Sequence, residues 1–147
     1  MYCTINDIIN VIPECELIQL SNDDELATAV NEDVVNNAIE DAMSTINGYL
    51  MARYTLPLTE VPRLLRRYAV ELAVINIHAR RFTQNMPESI TEREKFVIAE
   101  LGKIQKGVVT LNIETLNDSV KVPDASSVAI NKTEADRVFT KELLDRF

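Results

Sequence analysis

The stretch Ile46-Asn47-Gly48-Tyr49-Leu50-Met51-Ala52-Arg53-Tyr54-Thr55-Leu56-Pro57-Leu58, followed by Val61-Pro62, decides the fold. Upstream, Val35, Ile39, Ala42, Met43, Ile46, Tyr49 and Leu50 recur at steps of three and four, the period of a helix with one apolar face. The spacing predicts a helix from Glu32 to Tyr54 with Asn31 as N-cap, a rod of roughly 34 Å at about 1.5 Å per residue. Gly48 within it costs about 1 kcal/mol relative to alanine, so close packing against another helix is expected there. Pro57 and Pro62 hold Leu56 and Val61 extended, which makes Thr55-Leu56-Pro57-Leu58 a stiff, apolar crossing. Pro62 suits the first turn of the next helix, with Thr59 or Val61 in the cap region. That helix, running to about Phe82, is apolar nearly all round through Ala69, Val70, Leu72, Ala73, Val74, Ile75 and Ile77, and should be the central, most buried one.

Outward from this pair the signals are shorter. Thr4 and Asp7 form a capping-box-like start for a helix through Val11, which Pro13 ends. Glu14 to Leu20 reads as one more helical turn before the polar run Ser21-Asn22-Asp23-Asp24-Glu25. Ser89-Ile90-Thr91-Glu92 is a capping box, with Thr91 to Glu94 as a second register, for a helix whose inner face is Ile90, Val97, Ile98, Leu101 and Ile104. Gly107 is its natural stop after Lys103 and Lys106. Val108 to Ile113 is a short β-prone run, and residues 114 to 136 are polar without a period. Val138, Phe139, Leu143, Leu144 and Phe147 then supply apolar anchors, a pattern that docks on its own domain or on a neighbour. The expectation is an all-α bundle of four to five helices with a short extended segment, divided into a domain over residues 1–113 and a polar linker with an anchoring tail over 114–147.

A chain of 147 residues can bury a core without staples, and Cys3 and Cys15 lack the spacing of a disulfide framework, so both read as reduced thiols. No stretch approaches the length of apolar residues needed to span a bilayer, and a cytosolic site of synthesis is expected. Charge is uneven along the chain. Residues 1–60 hold eleven acids against the single base Arg53, whereas residues 61–107 hold nine bases against five acids. The two parts could meet head to tail between copies, although solubility alone is an equal explanation.

Little in the sequence points to chemistry. His78 is the only histidine and has no cysteine or histidine at ligand spacing, so neither a metal nor a cofactor is expected. A Cys3 or Cys15 pair with His78 would need tertiary proximity. Asp23, Asp24 and Glu25 lack the alternation and glycine of a calcium loop. The three glycines, Gly48, Gly102 and Gly107, rule out a glycine-rich phosphate loop. Arg63, Arg66, Arg67, Arg80 and Arg81 are the strongest hint of nucleic acid, but the pI near 4.7 argues for weak non-specific binding. Their expected partners are acids of the first part of the chain or of a neighbouring copy.

Residues 46–58 with Val61-Pro62, together with Tyr2-Cys3-Thr4-Ile5-Asn6-Asp7-Ile8, Glu16-Leu17-Ile18-Gln19-Leu20 and the Arg137-Val138-Phe139-Thr140 ending, resemble a Mu-like phage and prophage family of small head-region proteins. Gly48, Tyr49, Arg53, Tyr54, Leu56, Pro57, Leu58 and Pro62 carry the signature. The resemblance implies a structural, non-enzymatic role as a head–tail connector or adaptor, a ring subunit at the neck below the portal. Its implied partners are copies of itself, the portal and neighbouring neck or tail proteins, with no sequence-specific nucleic acid and no membrane. Its implied location is the host cytoplasm during assembly, then the virion neck. The interface candidates are Arg63, Arg66, Arg67, Arg80, Arg81, Val138, Phe139, Leu143 and Phe147. Leu56 and Leu58 are either core plugs, the preferred reading, or an interface patch. A small helical DNA-binding or regulatory protein of a prophage is the alternative.

Overall fold

The computed structural model describes residues 1–81, 86–113 and 115. They form a helical bundle of α1 (Ile5–Ile9), α2 (Glu14–Ser21), α3 (Glu32–Leu50), α4 (Arg63–Ala79) and α5 (Glu88–Lys106), with no sheet among the described residues. The linker beyond Thr115 and the tail anchors Val138, Phe139, Leu143, Leu144 and Phe147 lie outside the described residues, as does Phe82; the helix expected to run to about Phe82 ends at Ala79, where Arg80 is the C-cap and reaches with Arg81 to the end of α2.

Local signals explain most helix ends. Thr4 and Asp7 make the full capping box of α1, the Asp7 N–H donating to the Thr4 hydroxyl at 3.3 Å and the Thr4 N–H to the Asp7 carboxylate at 2.8 Å. Asn31 caps α3 by accepting from the Val34 N–H at 3.3 Å. Gly107 sits in the left-handed region at φ 79°, and the Val108 N–H closes back on the Lys103 carbonyl at 2.9 Å, a Schellman ending.

Five expectations need correction. The segment after Pro13 makes two turns of helix, Glu14–Ser21, because Pro13 itself occupies the N-cap and Leu17 is buried from the first turn. Helix α3 stops at Leu50 instead of Tyr54, since Tyr54 turns out of the helix to bridge Thr115. Pro62 and Pro87 are the N-caps of α4 and α5, both with extended ψ, so Pro62 precedes the first turn and the Ser89 capping box lies unused inside α5. Val108 to Ile113 forms no strand; its contact with the rest of the chain is through Tyr54 and packing.

Helix α4 packs against each of the other four, and Leu65, Tyr68, Ala69, Val70, Leu72, Ala73, Val74, Ile75 and Ile77 are buried along it. The expected central helix is observed. Asn76, late in α4, donates to the Ala38 carbonyl early in α3 at 3.2 Å, so the two long helices run antiparallel. Val35, Ile39, Ala42, Ile46 and Leu50 of α3 face α4 and α5 with almost no exposure. Leu56 and Leu58 are half-buried against this core, which favours the core-plug reading of the crossing. The Leu56–Pro57 peptide bond is cis.

Candidate interface: the two ends of helix α4

The signature residues work mainly as a clasp. Tyr54 is buried, and its hydroxyl accepts from the Leu111 N–H at 2.9 Å, which holds the segment after α5 against the end of α3. The Arg53 guanidinium lies over Gly107 and at 6.0 Å from the Tyr54 ring centroid, the outer range of a cation–π contact. A Cβ at Gly107 would overlap that guanidinium, and the positive φ adds strain for any other residue. Tyr49 packs half-buried on the core. Gly48 does not behave as expected: it is exposed, and nothing would stand within 4 Å of a Cβ there. The apolar stripe of α3 points inward, which leaves position 48 on the opposite, outward face.

The five candidate arginines separate into two groups. At the C-terminal end of α4, Arg80 donates to the Leu20 and Ser21 carbonyls at 3.4 Å and pairs with Asp23 at 2.5 Å, while Arg81 donates to the Asn22 carbonyl. These carbonyls lie at and just beyond the end of α2, where backbone acceptors lack helical partners and cations are favoured. The expected pairing with acids of the first part of the chain is therefore observed for Arg80.

At the N-terminal end the arrangement is different. Arg63, Arg66 and Arg67 line a groove of about 340 Å³ with Arg93 of α5, Val11 and Val70. Arg67 pairs at 3.1 Å with Glu71, a carboxylate only 8% exposed. Arg63, Arg66 and Arg93 have no ion pair among the described residues. Asp7 and Glu71 share the groove, so four positive charges face two negative ones. The first turn of α4 contains no acid, and arginines there oppose the helix dipole at a cost of a few tenths of a kcal/mol each. Of the four arginines only Arg67 has an ion-pair partner among the described residues, Glu71.

Sequence reasoning missed Arg93 and Val11 as members of this groove, because only the packing of α5 and the turn after α1 bring them to α4, and it read Val70, a residue of α4 itself, as core alone. It also missed Glu71, although the four-residue step from Arg67 was a usable signal. His78 is half-buried and lines a different cavity with Glu16, Gln19 and Arg81. Both cysteines are free, Cys3 buried and Cys15 exposed. Burial, then the Asp7 carboxylate, push the Cys3 thiol up to about 11, with the chain's first amino group and Arg66 pulling the other way. Among the described residues there is no group of histidine, cysteine or acids that could hold a metal ion, and no helix long and apolar enough to cross a membrane.

The family model described as Bacteriophage Mu, Gp36 matches residues 2–130. The chain belongs to that family. A relative from Haemophilus influenzae, the Mu-like prophage FluMu protein gp36, is 30% identical over 95 residues, which cover 65% of this chain and 64% of that protein. Gene product J of Escherichia phage Mu is 29% identical over 114 residues, 78% of each chain. The family signature read from residues 46–62 thus lies within a match that reaches from the first helix past the Tyr54–Thr115 clasp.

Proposed function

We propose that this chain is a structural subunit of a tailed-phage or prophage particle, a head–tail connector that assembles with copies of itself into a ring at the neck below the portal. The observation that carries the reading is the charge polarity of the bundle along α4. One end presents a groove where four arginines face Asp7 and Glu71, and at the other, beside Arg81 and the Arg80–Asp23 pair, Asp24 and Glu25 stand exposed without an ion pair among the described residues. Unlike ends that attract give a head-to-tail contact, which closes into a ring when the rotation per subunit allows. Family membership supports a phage role. In this reading the portal and adjoining neck or tail proteins are the other partners, DNA passes without being read, the protein catalyses nothing, and it moves from the host cytoplasm into the particle neck.

Density for the neck of the intact particle tests the proposal: the bundle is expected there as repeated copies, and a neck built entirely of other chains would end it. The DNA-binding alternative has lost two of its five arginines, since Arg80 and Arg81 hold α2. A gel shift that persists with a steep salt slope and disappears on Arg66→Glu would revive it.

A further inference from the structure

The loop between α2 and α3 carries the most exposed large apolar side chain of its region, Leu26, which is 85% accessible. Three acids precede it, Asp23, Asp24 and Glu25. The loop is built firmly. Asn22 Nδ2 donates to the Ile18 carbonyl at 2.9 Å and to the Ala29 carbonyl at 2.8 Å, and the buried Ser21 hydroxyl accepts from the Asn31 N–H at 3.1 Å. Asp24 accepts from the Leu26 N–H at 2.9 Å, which fixes the backbone that points the leucine outward. An exposed leucine on a pre-organised loop loses little conformational freedom on docking.

The arginine groove has the matching features. Its accessible apolar side chain is Val11, 47% exposed, beside the nearly buried Val70. Its rim is Arg63, Arg66, Arg67 and Arg93, and its volume of about 340 Å³ falls at the small end of binding-pocket sizes. The loop lies beside Arg80 and Arg81, whereas the groove runs along α4 from Arg63 to Glu71, so about 14 Å of helix separates the loop from its near edge and about 25 Å from its far one. A loop tied at both ends cannot reach its own groove across that distance.

We infer that the Asp23-Asp24-Glu25-Leu26 loop of one copy docks in the arginine-lined groove of the next, with Leu26 on Val11 and with Asp24 and Glu25, the two acids that Arg80 leaves unpaired, facing Arg63, Arg66 and Arg93. The inference deepens the ring reading by naming its contact. Because knob and groove are different surfaces at opposite ends of one helix, the contact is heterologous and propagates in one direction.

Cross-linking with a short bis-maleimide tests it in a Cys15→Ser background, where the remaining Cys3 is buried. Thr28→Cys in one preparation and Asn10→Cys in a size-tagged second place thiols beside the knob and the groove without altering Leu26 or Val11; both sites are exposed. At high protein concentration and low salt the 28–10 product is expected to form about tenfold or more faster than a control pairing Thr28→Cys with Met51→Cys, through raised effective concentration. Leu26→Asp or Arg93→Glu should return the rate to the control, and Arg93→Glu mixed with Glu25→Arg should recover it. Equal rates for the two pairings, or indifference to Leu26→Asp, would overturn the contact. An acidic segment of another neck protein as the true occupant would give equal rates for the two pairings. Selective cross-links in a chain absent from neck density would keep the contact and remove the connector reading; presence in the neck without selective cross-links would remove the contact alone.

Discussion

Arginines at the two ends of α4 meet opposite fates. Arg80 and Arg81 are engaged by the carbonyls that close α2 and by Asp23, whereas Arg63 and Arg66 stand with Arg93 around an open groove against the dipole of their own helix. In sequence both groups are short basic clusters on one helix. What separates them is the presence of orphan backbone acceptors within reach, which depends on where α2 ends in space. Side chains that the fold engages should change stability when truncated; those that it leaves open should change only what the protein meets.

The largest effect expected on the engaged side is at the clasp. Tyr54→Phe leaves the Leu111 N–H without its acceptor, and should lower unfolding stability by about 2 kcal/mol in urea melts. A change near zero would show that water replaces the hydroxyl and that the clasp rests on packing. Next, Arg80→Ala with Arg81→Ala should cost about 1 to 2 kcal/mol, since charge-assisted bonds at an exposed helix end are lost. Arg63→Ala with Arg66→Ala should stay within about 0.5 kcal/mol of the parent and can be slightly stabilising, because the dipole conflict is relieved. The reverse order in paired thermal melts would break the comparison.

The glycines offer a smaller version of the same contrast. Gly107→Ala should destabilise by about 1 kcal/mol through its positive φ, the Arg53 side chain moving aside. Gly48→Ala should instead raise stability by up to about 1 kcal/mol, because the site is open and helical. Loss of stability there would mean that the outward face of α3 is covered by another copy.

The smallest effect at neutral pH concerns the cysteines. Cys3 keeps its proton up to about 11, against an ordinary 9.0, so between those values the unfolded chain has released a proton that the folded chain retains. Stability therefore falls as pH rises through that window and is unaffected below it; the raised Tyr2 and Tyr68 hydroxyls, each shifted mainly by burial, act in the same direction. Iodoacetamide at mildly alkaline pH should modify Cys15 promptly and Cys3 only on unfolding. Equal rates would show that the N-terminal segment opens locally.

The parts of the fold that were legible in the sequence are those set by local forces. The long period of α3, the apolar girth of α4, the Thr4 capping box and the Gly107 stop each depend on residues a few positions apart. Helix ends moved where a distant partner intervened, as when Tyr54 left α3 to meet Thr115. Gly48 was misread because a helical glycine has the same signature whether it faces a neighbouring helix or solvent. Of the candidate site, Arg63, Arg66 and Arg67 were legible as a cluster. Their separation from Arg80 and Arg81, and the arrival of Arg93 and Val11 beside them, follow from tertiary packing that no spacing encodes.

Helix α4 is buried along most of its length, is tied at its C-terminal end through Arg80 and Arg81 to the loop that carries the knob, and lines the groove with its N-terminal half. In a ring built on that contact it would serve as a ruler: the spacing between successive subunits is set by a helical rise that side-chain substitutions hardly alter. Lengthening α4 by one turn would push the two contact surfaces about 5.4 Å further apart. Ring diameter would then be a property of backbone length, and the many sequences of such a family could drift while the aperture they enclose stayed the same.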